Sequence, residues 1–127
     1  VTHTAPIIYE QKTKDNKALN VYWCQGTIPG TYSLEAYLVN TGPVPVGLCY
    51  YNFQDNNTKI NILYLVVFPR YKRKGIATAI LDTLRHAYPD HHLVTDQLSH
   101  TGGKKFGVSY GFKELKHSWM FRKRKLK

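Results

Sequence analysis

Val67-Phe68-Pro69-Arg70-Tyr71-Lys72-Arg73-Lys74-Gly75-Ile76-Ala77 joins an apolar run to an amphipathic one through a short, basic, glycine-bearing turn. Upstream, Ile60 to Val67 is rich in branched and aromatic residues and predicts a buried strand, which Pro69 stops. Downstream, Ile76, Ala77, Ile80, Leu81, Leu84, Ala87 and Tyr88 follow helical spacing, with Thr78, Asp82, Thr83, Arg85 and His86 mostly on the other side, and Pro89 ends the helix. A helix start carries free backbone N–H groups and about half a positive charge, so it favours an anion at the turn. Gly75 lets that anion come close.

From Leu63 to Leu81 this stretch resembles the acyl-CoA-binding motif of the GNAT superfamily of N-acyltransferases. The family signature Q/R-x-x-G-x-G/A falls on Lys72, Gly75 and Ala77, with a lysine where the family has Gln or Arg. A second family element, a helix closing in an aromatic-glycine-aromatic run, is similar to Phe106-Gly107-Val108-Ser109-Tyr110-Gly111-Phe112, with Gly107 at a position where the family often has tyrosine. The resemblance implies a mixed α/β (α+β) fold with a twisted, mostly antiparallel central sheet and flanking helices. It implies acetyl-CoA or another acyl-CoA as donor, no metal, and a primary amine as acceptor. By the same resemblance the backbone of Leu65, Val66 and Val67 pairs with the pantetheine arm, in a gap between the strands ending near Val67 and Asp96. Lys72, Arg73, Lys74, Gly75, Ile76, Ala77 and Thr78 hold the pyrophosphate, and Phe106 adjoins the cofactor.

The 127 residues suit one domain over 1–127, with a basic tail at 122–127. No run of about 18 apolar residues and no signal-like start exist, so no membrane partner and a soluble protein are expected. Two unpatterned cysteines, Cys24 and Cys49, fit a reduced, cytoplasmic compartment and buried thiols. Of 18 basic residues against 8 acidic, four lie in the loop (Arg70, Lys72, Arg73, Lys74) and five in the tail (Arg122, Lys123, Arg124, Lys125, Lys127), leaving the remainder nearly neutral. A phosphate-bearing cofactor accounts for the first cluster. The second is read either as a solvated end or as a contact with nucleic acid.

Residues 1–18 are expected to be irregular or partly helical. Strands are predicted over 18–24, 31–39 and 44–53, with turns at Gln25–Gly30, Asn40–Pro43 and Gln54–Thr58, making an antiparallel meander that leads into the motif strand. A strand at 92–96, a helix near 101–110 and a last strand pair around 112–115 and 117–122 follow. The two helices that the family usually places after its first strand have no room here, so the acceptor side is expected to be open. Such a site suits a macromolecule, protein or nucleic acid, or is closed by a second subunit in a homodimer.

Acyl transfer to an amine requires a neutral amine, an oxyanion site and an acid for the departing thiolate. Asp96, at the end of its predicted strand, is the leading base candidate, and a loop-stabilising carboxylate is its alternative. Glu35 is a second base candidate by resemblance, or else an outward-facing strand residue. His100 stands where the family often has an asparagine touching the cofactor. With Gly107 in place of tyrosine, the acid falls to Tyr110, Ser99 or water; Tyr110 is equally a core residue. Tyr50, Tyr51 and Trp23 are candidates for the acceptor groove. Thr101-Gly102-Gly103-Lys104-Lys105 lacks the earlier glycine of a P-loop, and the histidines have no metal-ligand spacing. Two alternatives to an enzyme remain: a nucleic-acid-binding module, and a non-catalytic binder of acyl-CoA.

Overall fold

The computed structural model describes residues 7–25, 28–39, 42–96, 102–116 and 118–123. Ser99, His100 and the tail from 124 onward lie outside them. The strands are, in chain order, β1 (Ile7–Lys12), β2 (Ala18–Gln25), β3 (Tyr32–Leu38), β4 (Gly47–Gln54), β5 (Lys59–Val67), β6 (His92–Thr95), β7 (Lys113–Glu114) and β8 (Trp119–Phe121). They form one sheet in the order β1-β2-β3-β4-β5-β6-β8-β7. Only β5 and β6 run parallel, and helix α1 (Ile76–Ala87) makes the crossover between them; α2 (Gly102–Tyr110) follows β6. The α+β architecture and its mostly antiparallel sheet are as the sequence predicts.

The entry segment is a correction. Instead of an irregular or helical start, residues 7–12 form β1, an edge strand antiparallel to β2. Its period is too weak to read locally, and the pairing comes from the backbone edge that β2 offers. The β1–β2 turn closes on Thr13, whose N–H donates to the Lys17 carbonyl at 2.9 Å and whose Oγ1 accepts the Lys17 N–H at 3.0 Å.

Register divides the sheet into two unlike faces. Leu19 and Val21 of β2, Leu34 and Ala36 of β3, Cys49 and Tyr51 of β4, and Ile60 and Ile62 of β5 point one way and are buried. Against them α1 lays Ile76, Ile80 and Leu84, each 1 % exposed or less. Such side chains contribute about 1.5–3 kcal/mol each on burial. Gly47 permits the close approach: a Cβ there would stand 3.1 Å from Ile76 Cγ2, Ile80 Cδ1 and the Val66 carbonyl oxygen. Thr83, expected on the polar side of α1, is fully buried, and its hydroxyl donates to the Ala79 carbonyl at 2.8 Å. α2 packs beside α1 on the same face, where Tyr110 meets Phe106, Phe112 and Phe121. Neither described helix covers the other face.

Candidate active site

The parallel β5–β6 pairing runs through Lys59–His92, Ile60–Leu93 and Asn61–Val94 and then ends. On the other edge, Tyr50 pairs with Tyr64 and Tyr51 with Ile62, so Leu63 is an extra residue, a β-bulge in β5. A bulge bends its strand and raises the local twist. It falls where β5 loses β6, so Leu63 to Val67 run on without a partner on that edge among the described residues. The Phe68 N–H donates back to the Val46 carbonyl at 3.0 Å. Since strand amides alternate in direction, the amides of Leu65 and Val67 face the gap instead.

Beyond β5 the chain makes a 3₁₀ turn over Pro69–Tyr71, with the Tyr71 N–H on the Phe68 carbonyl (2.8 Å) and the Lys72 N–H on the Pro69 carbonyl (3.3 Å). Arg73 and Gly75 then take positive φ, 65° and 80°. Gly75 occupies the N-cap of α1, no side chain caps the helix, and its first turn holds no acidic residue. The leading amides of α1, Ile76, Ala77 and Thr78, therefore have no intrahelical acceptor, and they meet the positive end of the macrodipole. Amides converging at a turn of this kind favour an anion.

The basic side chains around that turn have divided roles. Lys72 and Arg73 are exposed, whereas the Arg70 guanidinium lies 5.9 Å from the Tyr71 ring centre. Lys74 is drawn aside: its Nζ is 3.3 Å from Asp15 Oδ2, and its carbonyl accepts the Lys14 N–H at 2.9 Å. The Thr13 hydroxyl, which donates to Asp15, and then Lys74 hold the Asp15 carboxyl below its ordinary range, against an opposing effect of burial. The β1–β2 turn thus braces the loop. Lys14 packs its stem over Gly75, where a Cβ would stand 3.2 Å from Lys14 Cγ. Lys14 and Asp15 were missed from sequence because their partner, Lys74, is about sixty positions away. The cue within reach was the turn composition of Thr13-Lys14-Asp15-Asn16-Lys17.

The other candidates separate. Asp96 is exposed and directly follows β6, at the mouth of the gap. His100 and Ser99 lie outside the described residues. Tyr110 is turned elsewhere: its hydroxyl donates to Asp82 Oδ1 at 2.7 Å and accepts from Arg85 Nη1 at 3.4 Å, both on α1. Burial, with Asp82 adding and Arg85 opposing, pushes that phenol above its usual range and makes it a poorer acid. Tyr110 is thereby corrected from proton donor to a residue that ties α2 to α1. Phe106 is half-buried with its ring 5.9 Å from that of Tyr110, part of the same packing. Gly107 is buried, and its carbonyl accepts the N–H groups of Gly111 (3.1 Å) and Phe112 (2.9 Å) at the end of α2.

Glu35 lies on the helix-free face, opposite Leu48, which is in turn opposite Val66. Two strand spacings, about 10 Å, separate it from β5, too far for it to take a proton directly from an amine at the gap. It lines a groove of about 540 Å³ with Asn20, Tyr22, Tyr37, Leu48 and Tyr50. Its Oε1 accepts the Tyr37 hydroxyl at 2.7 Å. Of the aromatics expected in an acceptor groove only Tyr50 is there; Tyr51 and Trp23 belong to the helix-packed side, Tyr51 with its hydroxyl 3.1 Å from that of Tyr88.

Residues 6–101 match the acetyltransferase (GNAT) family. Among solved structures, the chain is similar to a protein from Desulfovibrio desulfuricans assigned to the GNAT acetyltransferases (11 % identity, 75 % of this chain and 70 % of that one, TM-score 0.64). It is also similar to a GNAT acetyltransferase from Staphylococcus aureus (16 %, 73 % and 67 %, TM-score 0.58), and to the PaiA N-acetyltransferase of Thermoplasma acidophilum, solved with coenzyme A (18 %, 75 % and 62 %, TM-score 0.56). No curated protein sequence matches it. These structural likenesses speak for the fold, and the family match spans the broken strand, the turn and α1; this chain belongs to the GNAT family of acetyltransferases.

Proposed function

We propose that this protein moves an acetyl group from acetyl-CoA to a primary amine of a polypeptide, by direct attack within a ternary complex. The uncapped start of α1, without an acidic residue in its first turn and set at the end of a strand with one edge unpaired among the described residues, carries this reading. Acetyl-CoA, when bound, supplies the activated acyl group. The amides of Leu65 and Val67 hold the pantetheine arm, and the amides from Arg73 to Thr78 hold the pyrophosphate, with Lys72 and Arg73 adding charge. A backbone amide near Val67 serves the oxyanion. α1 and α2 fill one face, so the amine enters from the other. Its lone pair bonds to the carbonyl carbon, the C–S bond breaks, and the amine proton passes to Asp96, directly or through water. Water or Ser99 returns a proton to the thiolate. A polypeptide is favoured over nucleic acid because the described residues lining the groove on the open face include a carboxylate and no basic side chain.

Calorimetric titration of acetyl-CoA into the wild type and Thr78→Glu tests the cofactor site. Thr78 is exposed in the first turn of α1, where a glutamate suits the helix dipole yet repels a phosphate. Gly75→Glu is the poorer choice, since φ of 80° disfavours any side chain there. Binding by the wild type that weakens at least about ten-fold in a normally folded Thr78→Glu is expected, an opposed charge of about 1.4 kcal/mol. A wild type that does not bind acetyl-CoA would overturn the reading.

A further inference from the structure

We infer that Lys14, in the β1–β2 turn, is a cofactor-binding residue whose ammonium contacts a phosphate of acetyl-CoA at the start of α1. This rests on the acetyl-transfer reading above and adds to its cofactor site a cation remote in sequence from the basic loop.

Two contacts tie Lys14 to the anion-favouring turn. Its backbone N–H donates to the Lys74 carbonyl at 2.9 Å. The Lys74–Gly75 peptide is trans and planar, so a carbonyl held toward Lys14 turns the Gly75 N–H the opposite way, out of the β1–β2 turn. Lys14 thereby helps to set the direction of the amide that precedes α1.

The side chain makes the second contact. The Lys14 stem crosses Gly75: a Cβ there would stand 3.2 Å from Lys14 Cγ, 3.9 Å from Cδ and 3.7 Å from Cε. The ammonium is one bond further along, within about 5 Å of that point. A phosphate resting on the leading amides of α1 is therefore in its reach, because the lysine stem is flexible and the ammonium carries three donors. Glycine leaves room for this crossing, and its φ of 80° suits glycine as well.

The surroundings fit the same role. Lys14 and Gly75 line a groove of about 200 Å³ with Thr78, Ala79 and Asp82 of α1. Asp15 and Asp82, the acidic groups that adjoin Lys14 among the described residues, are already engaged. Asp15 faces Lys74 at 3.3 Å and Lys17 at 3.9 Å. Asp82 accepts the Tyr110 hydroxyl at 2.7 Å and lies 3.8 Å from Arg85. The backbone that carries Lys14 is held before any ligand arrives, since Thr13 closes the turn on Lys17 and its carbonyl accepts the Asn16 N–H at 3.0 Å. Such preorganisation lowers the cost of binding.

The test is calorimetric titration of CoA and of dephospho-CoA, which lacks the ribose phosphate, into the wild type and three variants. Lys14→Met keeps a stem over Gly75 and removes only the charge, and Lys14→Arg keeps the charge. Lys17→Met removes the same charge from a side chain in the same turn that is 65 % exposed and does not line the groove. Lys14→Met is expected to weaken CoA binding at least about three-fold, the loss of a charge-assisted hydrogen bond at an exposed site. Lys14→Arg should recover most of that loss, and Lys17→Met should stay within about 1.5-fold of the wild type. A loss of equal size with dephospho-CoA assigns the contact to the pyrophosphate, and a loss confined to CoA assigns it to the ribose phosphate; both support a phosphate contact. Equal losses in Lys14→Met and Lys17→Met would reveal only the general field of the turn and would overturn the inference. So would a loss that Lys14→Arg fails to recover. A wild type that binds no CoA would sink the cofactor reading itself, whereas a wild type and Lys14→Met that bind it equally well would sink this inference alone.

Discussion

The two halves of β5 are built from similar residues and behave differently. From Lys59 to Ile62 the strand is paired on both edges as far as Asn61, and Ile60, Asn61 and Ile62 are at most 7 % exposed. From Leu63 to Val67 it keeps β4 alone; Leu63 and Tyr64 are 49 % and 54 % exposed, and the next three residues are half-buried. One extra residue, Leu63, stands at the change. The contrast teaches that the edge proposed for the cofactor needs no special side chains. It is ordinary strand backbone with its usual partner withheld, next to a helix start that is likewise left uncapped.

Ile60→Ala should give the largest effect that sharpens this comparison, a loss of about 2–5 kcal/mol in urea unfolding from a cavity in the closed half. Val66→Ala, in the open half, should cost less than about 1.5 kcal/mol; equal losses would break the contrast. Gly47→Ala comes next, at about 1–3 kcal/mol, because its methyl group would press on Ile76, Ile80 and the Val66 carbonyl. Since Ile76 opens α1, acetyl-CoA affinity should fall with it, and unchanged affinity would mean that the open half is not held by this packing.

Asp15→Asn probes the brace beyond the open half. Its ion pair with Lys74 is exposed and screened by solvent, so it should contribute little to stability. Releasing Lys74 and deleting a nearby negative charge should raise acetyl-CoA affinity by about two- to five-fold; lower affinity would mean that positioning of the loop outweighs charge. The smallest effect concerns the closed end, where His92 Nδ1 accepts the Lys123 N–H at 2.9 Å. Burial, then the Lys123, Arg122 and Lys59 charges, hold the His92 pKa below 6.5. Because the folded pKa is lowered, the unfolded chain takes up the proton first. The contribution is present above 6.5 and is lost as pH falls toward the folded value. Unfolding curves should show a small decline there that His92→Asn removes.

How far the chain could be read from its residues depended on how local each feature is. The β5–turn–α1 unit, the meander before it and the strand and helix after it were legible, because period, proline and glycine act over a few neighbours. Lys72 and Gly75 could be placed in the turn, and Ala77 and Thr78 in the first turn of α1, for the same reason; their assignment to a cofactor came from the family resemblance. The bulge was not legible, since Leu63 looks like any other residue of an apolar strand until β4 is set against it. β1 was hidden because its pairing is supplied by β2. Tyr110 was aimed at the cleft on helical spacing alone, and only the packing of α2 on α1 turns its hydroxyl to Asp82 and Arg85.

The sequence by itself determined the element types after β1, the crossover helix and the anion-favouring turn, all products of local stereochemistry and side-chain period. The tertiary structure decided the rest: which edge of β5 stays free, that Asp15 holds Lys74 from a turn far away in the chain, and that Glu35 stands about two strand spacings, or 10 Å, from the gap. Those are distances between segments remote in sequence, fixed by sheet register and by helices closing one face, and neither is written in any short stretch of residues.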